Sequence, residues 1–405
     1  MKTGIHSGNS IRIIARHALL DSQYCQNLLQ ASSLQINVNQ IDHDITLWIQ
    51  SLRKMDKEEL NLALWRAATM GQPSTWQALQ RMLRAHLTAV RKLMICILEE
   101  MPGDSTYRNA IATIVRKGKA AVMRTPSSVL WSLAVMHSQT GTISPEIYPL
   151  AAACAFYYQG VALLDDVADG ESGPYYAGWP QGQAEHIALS MAGALPLACI
   201  KRLNCSNAVI QKITDDFTQA MWLTNNGQFL DIGGYGLVST GTFMAEKILL
   251  YKAGIGYAHL ARASAHYFQL ADRDVDDWEK VTEIFDIARQ IASDVFDIWR
   301  KIPSTDLVCG KFTWPLAYAA ECLPGDEINS FKELLLNCQY DLDARSDLYD
   351  LLNSLNILPK IEERLKEMKQ SGMHILNRLN ASPSAKRWVL TWASQASIFS
   401  DVSQE

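Results

Sequence analysis

Three aspartates close together in the sequence are the residues best suited to chemistry. Asp165, Asp166 and Asp169 stand at the end of an almost uncharged stretch, residues 147–164. Residues three and four apart share one face of a helix, so these carboxylates would lie within about one turn. Like charges buried together are unfavourable, and Mg²⁺ relieves this because it binds carboxylates together with water and phosphate oxygens. The spacing therefore indicates a magnesium site, although a solvated acidic helix end would show the same pattern.

A second polar group also has helical spacing. Gln290, Asp294 and Asp297 lie at positions i, i+4 and i+7, which aligns them along one helix stripe. A helix of this kind facing the first could complete a metal cluster from the opposite wall. Considered alone, the stripe is more typical of an ordinary amphipathic helix. Gln228 and Asp231 form a shorter stripe of the same kind.

Two lysines occupy a loop before a later helix. Lys301 and Lys311 flank a segment rich in small and turn-forming residues. A lysine ammonium is a compact point charge that suits a diphosphate. The loop is therefore a candidate anion-binding segment.

These residues must be positioned by helices, because helical periodicity covers most of the chain. No alternating strand pattern longer than about five residues is present. The sequence predicts an all-α protein with an N-terminal helical extension, residues 1–105, and a main α-bundle domain, residues 106–405. The predicted helices span residues 41–55, 59–70, 76–101, 107–122, 129–136, 147–169, 184–203, 208–231, 243–270, 278–299, 315–322, 327–335, 344–379 and 386–398.

Two other acidic groups favour structural roles. Residues 272–277 carry several aspartates without an apolar approach, which is typical of a solvated loop between helices. Asp215 and Asp216 lie on a helix expected at the surface. Neither group is interpreted as a metal site.

Composition excludes several classes of protein. The chain has 405 residues, 48% hydrophobic and 20% charged, and a net charge of −5 without basic stretches, so nucleic acid is not the expected partner. Eight cysteines without paired spacing are typical of a reduced, cytoplasmic protein. The apolar stretches 147–164 and 187–200 are interrupted by Gln159 and Pro196, which favours buried helices over stable membrane insertion.

Taken in order, these stretches resemble the trans-type isoprenyl diphosphate synthase superfamily, which includes the class I terpene synthases. The family's DDxxD motif is matched in full, whereas Ser293 stands at the first aspartate of its second acidic motif. The resemblance covers roughly residues 107–398. The matching residues are Asp165, Asp166 and Asp169; Gly227, Gln228 and Asp231; Lys252 and Ala253; Gln290, Asp294 and Asp297; and Lys301, Asp306, Leu307, Gly310, Lys311, Thr313 and Pro315.

The resemblance implies an isoprenoid-synthase helical bundle around a central apolar cavity, a prenyl diphosphate substrate and Mg²⁺ as cofactor; it also allows a homodimer. Implied metal ligands are Asp165, Asp166, Asp169, Asp294 and Asp297. Implied diphosphate-binding residues are Gln228, Lys252, Gln290, Lys301 and Lys311, and the catalytic set is Asp165, Asp166, Lys252 and Lys311. Phe156, Tyr157 and Tyr158 are candidates for the cavity wall or, equally, for core packing.

Departures from the family pattern decide between functions. Chain-elongating members carry paired arginines after DDxxD, but here no lysine or arginine follows Asp169 before Lys201. The upstream basic motif keeps only Lys119 and Arg124, out of register. A second diphosphate would lack most of its counter-charge, which favours a terpene synthase that cyclises or rearranges one prenyl diphosphate.

Two alternatives stay open. One is a chain-elongating synthase or another prenyltransferase that binds its acceptor by other means. The other is a non-catalytic subunit of a prenyl synthase, which the intact DDxxD motif and the loop lysines disfavour.

Overall fold

A computed structural model of the chain describes residues 73–170, 179–232, 241–300 and 304–393. Helices dominate these residues, and no β-strand occurs among them, which confirms the all-α prediction. The helices are α1 Pro73–Glu100, α2 Ser105–Lys117, α3 Ser127–Thr140, α4 Tyr148–Ala168, α5 Gln181–Leu189, α6 Leu195–Ile200, α7 Asn207–Asp231, α8 Gly241–Leu249, α9 Ile255–Tyr267, α10 Asp272–Arg300, α11 Thr305–Cys309, α12 Trp314–Cys322, α13 Ile328–Asn337, α14 Leu342–Ser354, α15 Ile357–Arg378 and α16 Pro383–Ala393.

The long helix α10 connects two hydrophobic clusters. Its first half, up to Phe285, packs into a cluster that also contains α1, α3, α4, α7, α9 and α16. Its second half, from Ile287 to Trp299, packs into a cluster built with α8, α12, α13, α14 and α15. Helix α1 shares the first cluster with the main bundle, and residues 1–72 of the predicted extension lie outside the described residues. The division at residue 105 stays a prediction.

Helix α4 runs through the first cluster and is buried along most of its length. The run Pro145–Ala168 is the one described helix with the length and composition to cross a membrane, but 67% of its most apolar window is buried inside the protein. Gly160 allows neighbouring backbone to approach closely, since a Cβ built there would lie 2.4 Å from the backbone nitrogen of Ala192. The helix ends at its three aspartates, of which Asp166 is itself buried and the other two are half-buried.

Two helical runs contain a wide π-helical turn. Ser190–Ala194 joins α5 to α6, and Leu250–Gly254 joins α8 to α9. Each turn faces a glycine of another helix: Gly160 lies against the first, and Gly227 lies against Lys252 of the second. Such turns often occur at functional sites because they shift the direction of side chains locally.

Three sequence expectations differ from the structure. Residues 272–277 are not a solvated loop but the first turns of α10, where buried Asp277 pairs with Arg378 of α15. The helix expected over residues 344–379 is two helices, separated at Asn356, whose φ is 50°. Asp216 is buried rather than on the surface, because it pairs with His266 and Arg262 of α9.

Candidate active site

The C-terminal ends of three helices meet at one acidic cavity. Helix α4 contributes the three aspartates at its end, α7 contributes Asp231 as its last residue, and α10 contributes Asp294 and Asp297. A helix C-terminus carries partial negative charge, so carboxylates there are unfavourable unless cations compensate. The cavity has a volume of about 200 Å³. Cations are therefore needed to stabilise the carboxylates in this cavity.

Two buried lysines supply part of that charge. Lys252 Nζ lies 3.0 Å from Asp165 Oδ1 and 2.5 Å from Asp231 Oδ2. Lys311 Nζ lies 2.6 Å from Asp169 Oδ2 and 3.8 Å from Asp165 Oδ1. Their side chains are only 15% and 6% exposed, so both ammonium groups are held between carboxylates. The π turn directs Lys252 toward the cavity, and the loop after α11 directs Lys311 toward it.

Other contacts order the rim of the cavity. The more exposed Lys119 places Nζ 2.9 Å from Asp166 Oδ1. On α10, Gln290 Nε2 donates to Asp294 Oδ1 at 3.0 Å. Asp297 Oδ1 accepts from the backbone N–H of Asp306 at 3.0 Å and also from the Ser304 hydroxyl, so it anchors the start of α11. Asp297 thus has a structural role besides any role in ion binding.

The pKa values of the aspartates reflect burial, which the charges of the two lysines oppose. Burial would raise the pKa of Asp165, but the charges of Lys252 and Lys311 outweigh it and lower that pKa to about 2. Burial raises the pKa of Asp294 to about 7. Burial and the nearby Asp297 raise the pKa of Asp306 well above its usual range. The surroundings therefore favour the ionised form of Asp165 and, relative to an ordinary aspartate, the protonated forms of Asp294 and Asp306.

The donor set suits a hard cation and its anionic ligand. Asp294 Oδ2 and Thr313 Oγ1 are buried and have no hydrogen-bond partner among the described residues, and both residues line the cavity. Unpaired buried oxygens of this kind fit a cation or a polar ligand atom. Lysine ammonium groups lie between the carboxylates in this structure. Among the described residues, no group of three Asp, Glu, His or Cys side chains is arranged to bind one metal ion.

A second cavity adjoins the acidic one and shares Asp165, Lys252 and Gln290 with it. Its volume is about 120 Å³. Tyr157 and Tyr158 line it, together with apolar residues of α4 and α9, whereas Phe156 is fully buried in the core. The resemblance implied an apolar cavity, but this one is also bordered by charged residues of α10.

The structure brings most of the predicted residues together. All five predicted metal ligands line the acidic cavity with Lys252, Gln290 and Lys311, and Gln228 lines the adjoining cavity. Lys301 lies outside the described residues. The roles assigned to these residues stay predictions.

Sequence reasoning left several lining residues without a role. Asp231 and Asp306 line the acidic cavity and belong to the matched motifs, so the motifs could have predicted their place in the site. Lys119 was considered only for a second diphosphate, although it pairs with Asp166. No sequence signal pointed to Asp286 and Arg289, which line the adjoining cavity.

Comparisons with protein-family models and with curated proteins find no match. Solved structures do match. A geranylgeranyl pyrophosphate synthetase from Pyrococcus horikoshii has a TM-score of 0.66 at 16% identity, over 82% of this chain and 99% of that one. A decaprenyl diphosphate synthase from Rhodobacter capsulatus has a TM-score of 0.66 at 15% identity, over 79% and 98%. A polyprenyl synthase from Caulobacter crescentus, solved with calcium and isoprenyl diphosphate, has a TM-score of 0.65 at 17% identity, over 79% and 96%.

These similarities extend over nearly the full length of the solved proteins. The chain therefore has the fold of the trans-type isoprenyl diphosphate synthases. The resemblance inferred from the motifs is confirmed at the level of the fold.

Proposed function

We propose that the protein is a Mg²⁺-dependent enzyme that ionises one allylic prenyl diphosphate and cyclises or rearranges the resulting cation. The observation that carries the proposal is the pair of adjoining cavities. One is acidic with two buried lysines, and the other is lined in part by aromatic rings and apolar side chains. The first suits a diphosphate with its cations, and the second suits the hydrocarbon attached to it.

The side chains have distinct tasks in this proposal. Asp165, Asp166, Asp169, Asp294 and Asp297 would hold the metal, which supplies positive charge to the departing diphosphate. Lys252 and Lys311 bind diphosphate oxygens and stabilise the charge that develops as the C–O bond breaks. The calcium and isoprenyl diphosphate in the Caulobacter enzyme support a divalent cation and this class of substrate.

Aromatic residues of the second cavity would stabilise the cation. Tyr157 and Tyr158 line the cavity, and the faces of aromatic rings attract cations. The Tyr157 hydroxyl forms a hydrogen bond with the Thr224 hydroxyl at 2.8 Å. A hydroxyl already engaged in a hydrogen bond is less available to capture the cation. A hydrocarbon chain that fills this cavity would displace water, which favours rearrangement over hydrolysis.

Chain elongation is the second candidate, and the three solved neighbours carry names of that activity. It requires a second diphosphate site. The sequence offers no lysine or arginine from Gly170 to Ile200, and Lys119 already pairs with Asp166. These two observations favour use of a single diphosphate.

The deciding experiment is incubation with Mg²⁺ and geranyl, farnesyl or geranylgeranyl diphosphate, each with and without labelled isopentenyl diphosphate, followed by product analysis. From the allylic substrate alone we expect free diphosphate and either a hydrocarbon, formed when the cation loses a proton to the departed diphosphate, or an alcohol, formed when water adds to the cation and releases a proton. We also expect loss of activity on chelation. Incorporation of the label at a rate comparable to allylic consumption would instead establish elongation.

The Asp165→Asn variant tests the site itself. Removing the carboxylate between the two lysines should lower turnover by at least about 100-fold, since it disrupts both the metal ligands and the lysine positions. Asp215→Asn is the matched control, because Asp215 is exposed on α7 and, among the described residues, accepts a hydrogen bond from Gln211 alone. Equal activity in the two variants would place the metal elsewhere.

A further inference from the structure

The second cavity has a charged wall in the part that it does not share with the acidic cavity. Arg289 Nε donates to Asp286 Oδ1 at 2.9 Å, and both residues line the cavity. The Asp286 side chain is completely buried, whereas the Arg289 side chain is 21% exposed. No other hydrogen bond of the guanidinium to a described residue is present. Arg289 therefore leaves N–H donors open toward the cavity.

Two tyrosines that pack on each other border the same cavity as this ion pair. The rings of Tyr158 and Tyr257 lie 5.1 Å apart, and the Tyr257 hydroxyl bonds Ser127 Oγ at 3.0 Å. Both tyrosines border the same cavity as Arg289. A half-buried arginine bonded to a fully buried carboxylate cannot easily move aside for a ligand.

Contact between a long hydrocarbon chain and Arg289 is unfavourable. A prenyl chain that reached Arg289 would cover open guanidinium donors without offering an acceptor, which is unfavourable in a buried position. The space is also short. An engineered protein cavity of about 150 Å³ holds one benzene molecule, and this cavity measures about 120 Å³. It therefore holds about one five-carbon unit beyond the carbons nearest the diphosphate.

We infer that Arg289, held by Asp286, closes the chain pocket and limits the allylic substrate to ten carbons or fewer. The inference rests on the proposed function, because it takes the acidic cavity as the diphosphate site. It assigns Arg289 as a specificity-determining residue, and geranyl diphosphate as the longest substrate expected.

Binding of non-ionising substrate analogues tests this without catalysis. Allylic thiolodiphosphates of five, ten, fifteen and twenty carbons are titrated calorimetrically into the protein with Mg²⁺. We expect the ten-carbon analogue to bind at least tenfold more tightly than the fifteen- and twenty-carbon analogues. Equal affinity for ten and twenty carbons would overturn the inference.

A double variant tests the role of the ion pair. Asp286→Leu with Arg289→Met replaces both charges together, because removing arginine alone would leave a buried, unpaired carboxylate. We expect the affinity for fifteen carbons relative to ten to rise at least tenfold. The matched control is Asp277→Leu with Arg378→Met. This variant removes another ion pair of α10, formed with α15, and neither of its residues lines the cavity.

An unchanged chain-length ratio in the folded double variant would refute the assignment of Arg289. If that variant does not fold, the wild-type series decides, because length-independent binding contradicts a closed pocket in any case. Binding that ignores chain length but is lost in Asp165→Asn overturns this inference and leaves the proposed function standing. Absence of binding at every length would remove both.

Discussion

Gly227 lies where α7 crosses the π turn that carries Lys252, and its replacement by alanine tests how that lysine is positioned. A Cβ at residue 227 would lie 2.2 Å from the backbone nitrogen of Lys252 and 2.7 Å from its Cα. Ordinary contacts between carbon atoms are at about 3.5–4.0 Å. The two backbones must therefore separate by about 1 Å to admit one methyl group.

Two effects of this separation can be given magnitudes. Overpacking of a tight contact costs about 1–3 kcal/mol in unfolding free energy. Lys252 Nζ contacts Asp165 and Asp231 at 3.0 and 2.5 Å, so a shift of this size disrupts at least one contact. A misplacement of about 1 Å in a catalytic group can lower the rate about 100-fold. Gly227→Ala should therefore lose both stability and turnover.

The assay combines urea unfolding with steady-state release of diphosphate from an allylic substrate. Gly193→Ala is the matched control, because Gly193 lies in the other π turn and its added Cβ would meet, among the described residues, only Met221 Sδ, at 3.6 Å. The control should keep wild-type turnover and equal or greater stability, since alanine favours helices over glycine.

Two outcomes would refute the reasoning about Gly227. Wild-type stability and turnover in Gly227→Ala would mean that the helices do not approach as closely as the structure shows. Reduced stability with unchanged turnover would mean that the crossing does not position Lys252.

Three further predictions concern other parts of the molecule. Burial raises the pKa of Asp216 to about 6. The free energy of unfolding should therefore fall by up to about 3 kcal/mol as the pH rises from about 4 to 6, because the folded protein binds the proton more tightly. Asp216→Asn should remove this pH dependence in urea unfolding, and an unchanged pH dependence would contradict the prediction. Trp392→Ala should cost about 3–5 kcal/mol by the same method, because the ring is fully buried against aromatic rings at 5.2 and 5.6 Å; a loss below about 1 kcal/mol would be inconsistent with that packing. Among the described cysteines, a thiol reagent should modify the exposed Cys96 and Cys322 first. Cys154 should react only on unfolding, because burial raises the pKa of its thiol to about 12. Mass spectrometry of protein digests tests the order of modification.

Much of the helical architecture followed from local periodicity. The predicted helix over residues 208–231 is observed as Asn207–Asp231, because its apolar spacing and the Ser206 cap are local signals. The break at Asn356 was missed because a single residue with positive φ hardly alters the periodic pattern. The start of α10 was missed because Asp277 is stabilised by Arg378, a partner 101 residues away.

The candidate site divides in the same way. The aspartates of α4 and α10 were found from their spacing, and their common cavity agrees with that expectation. The ion pair of Asp286 and Arg289 was not anticipated, because an Asp and an Arg three residues apart usually lie on a solvated helix face. Only the packing of α10 between its two hydrophobic clusters turns that pair inward.

The π turn Leu250–Gly254 lengthens a helix by one residue without adding a loop. Each residue of an α-helix turns by about 100°, so an extra residue changes the rotational phase of everything that follows. The segment before the turn packs on α12, and the segment after it packs on α7 and α10. Deleting one residue here would leave an unbroken α-helix with the same neighbours in sequence, but with one half rotated away from its partners. At this point the number of residues matters as much as their identity.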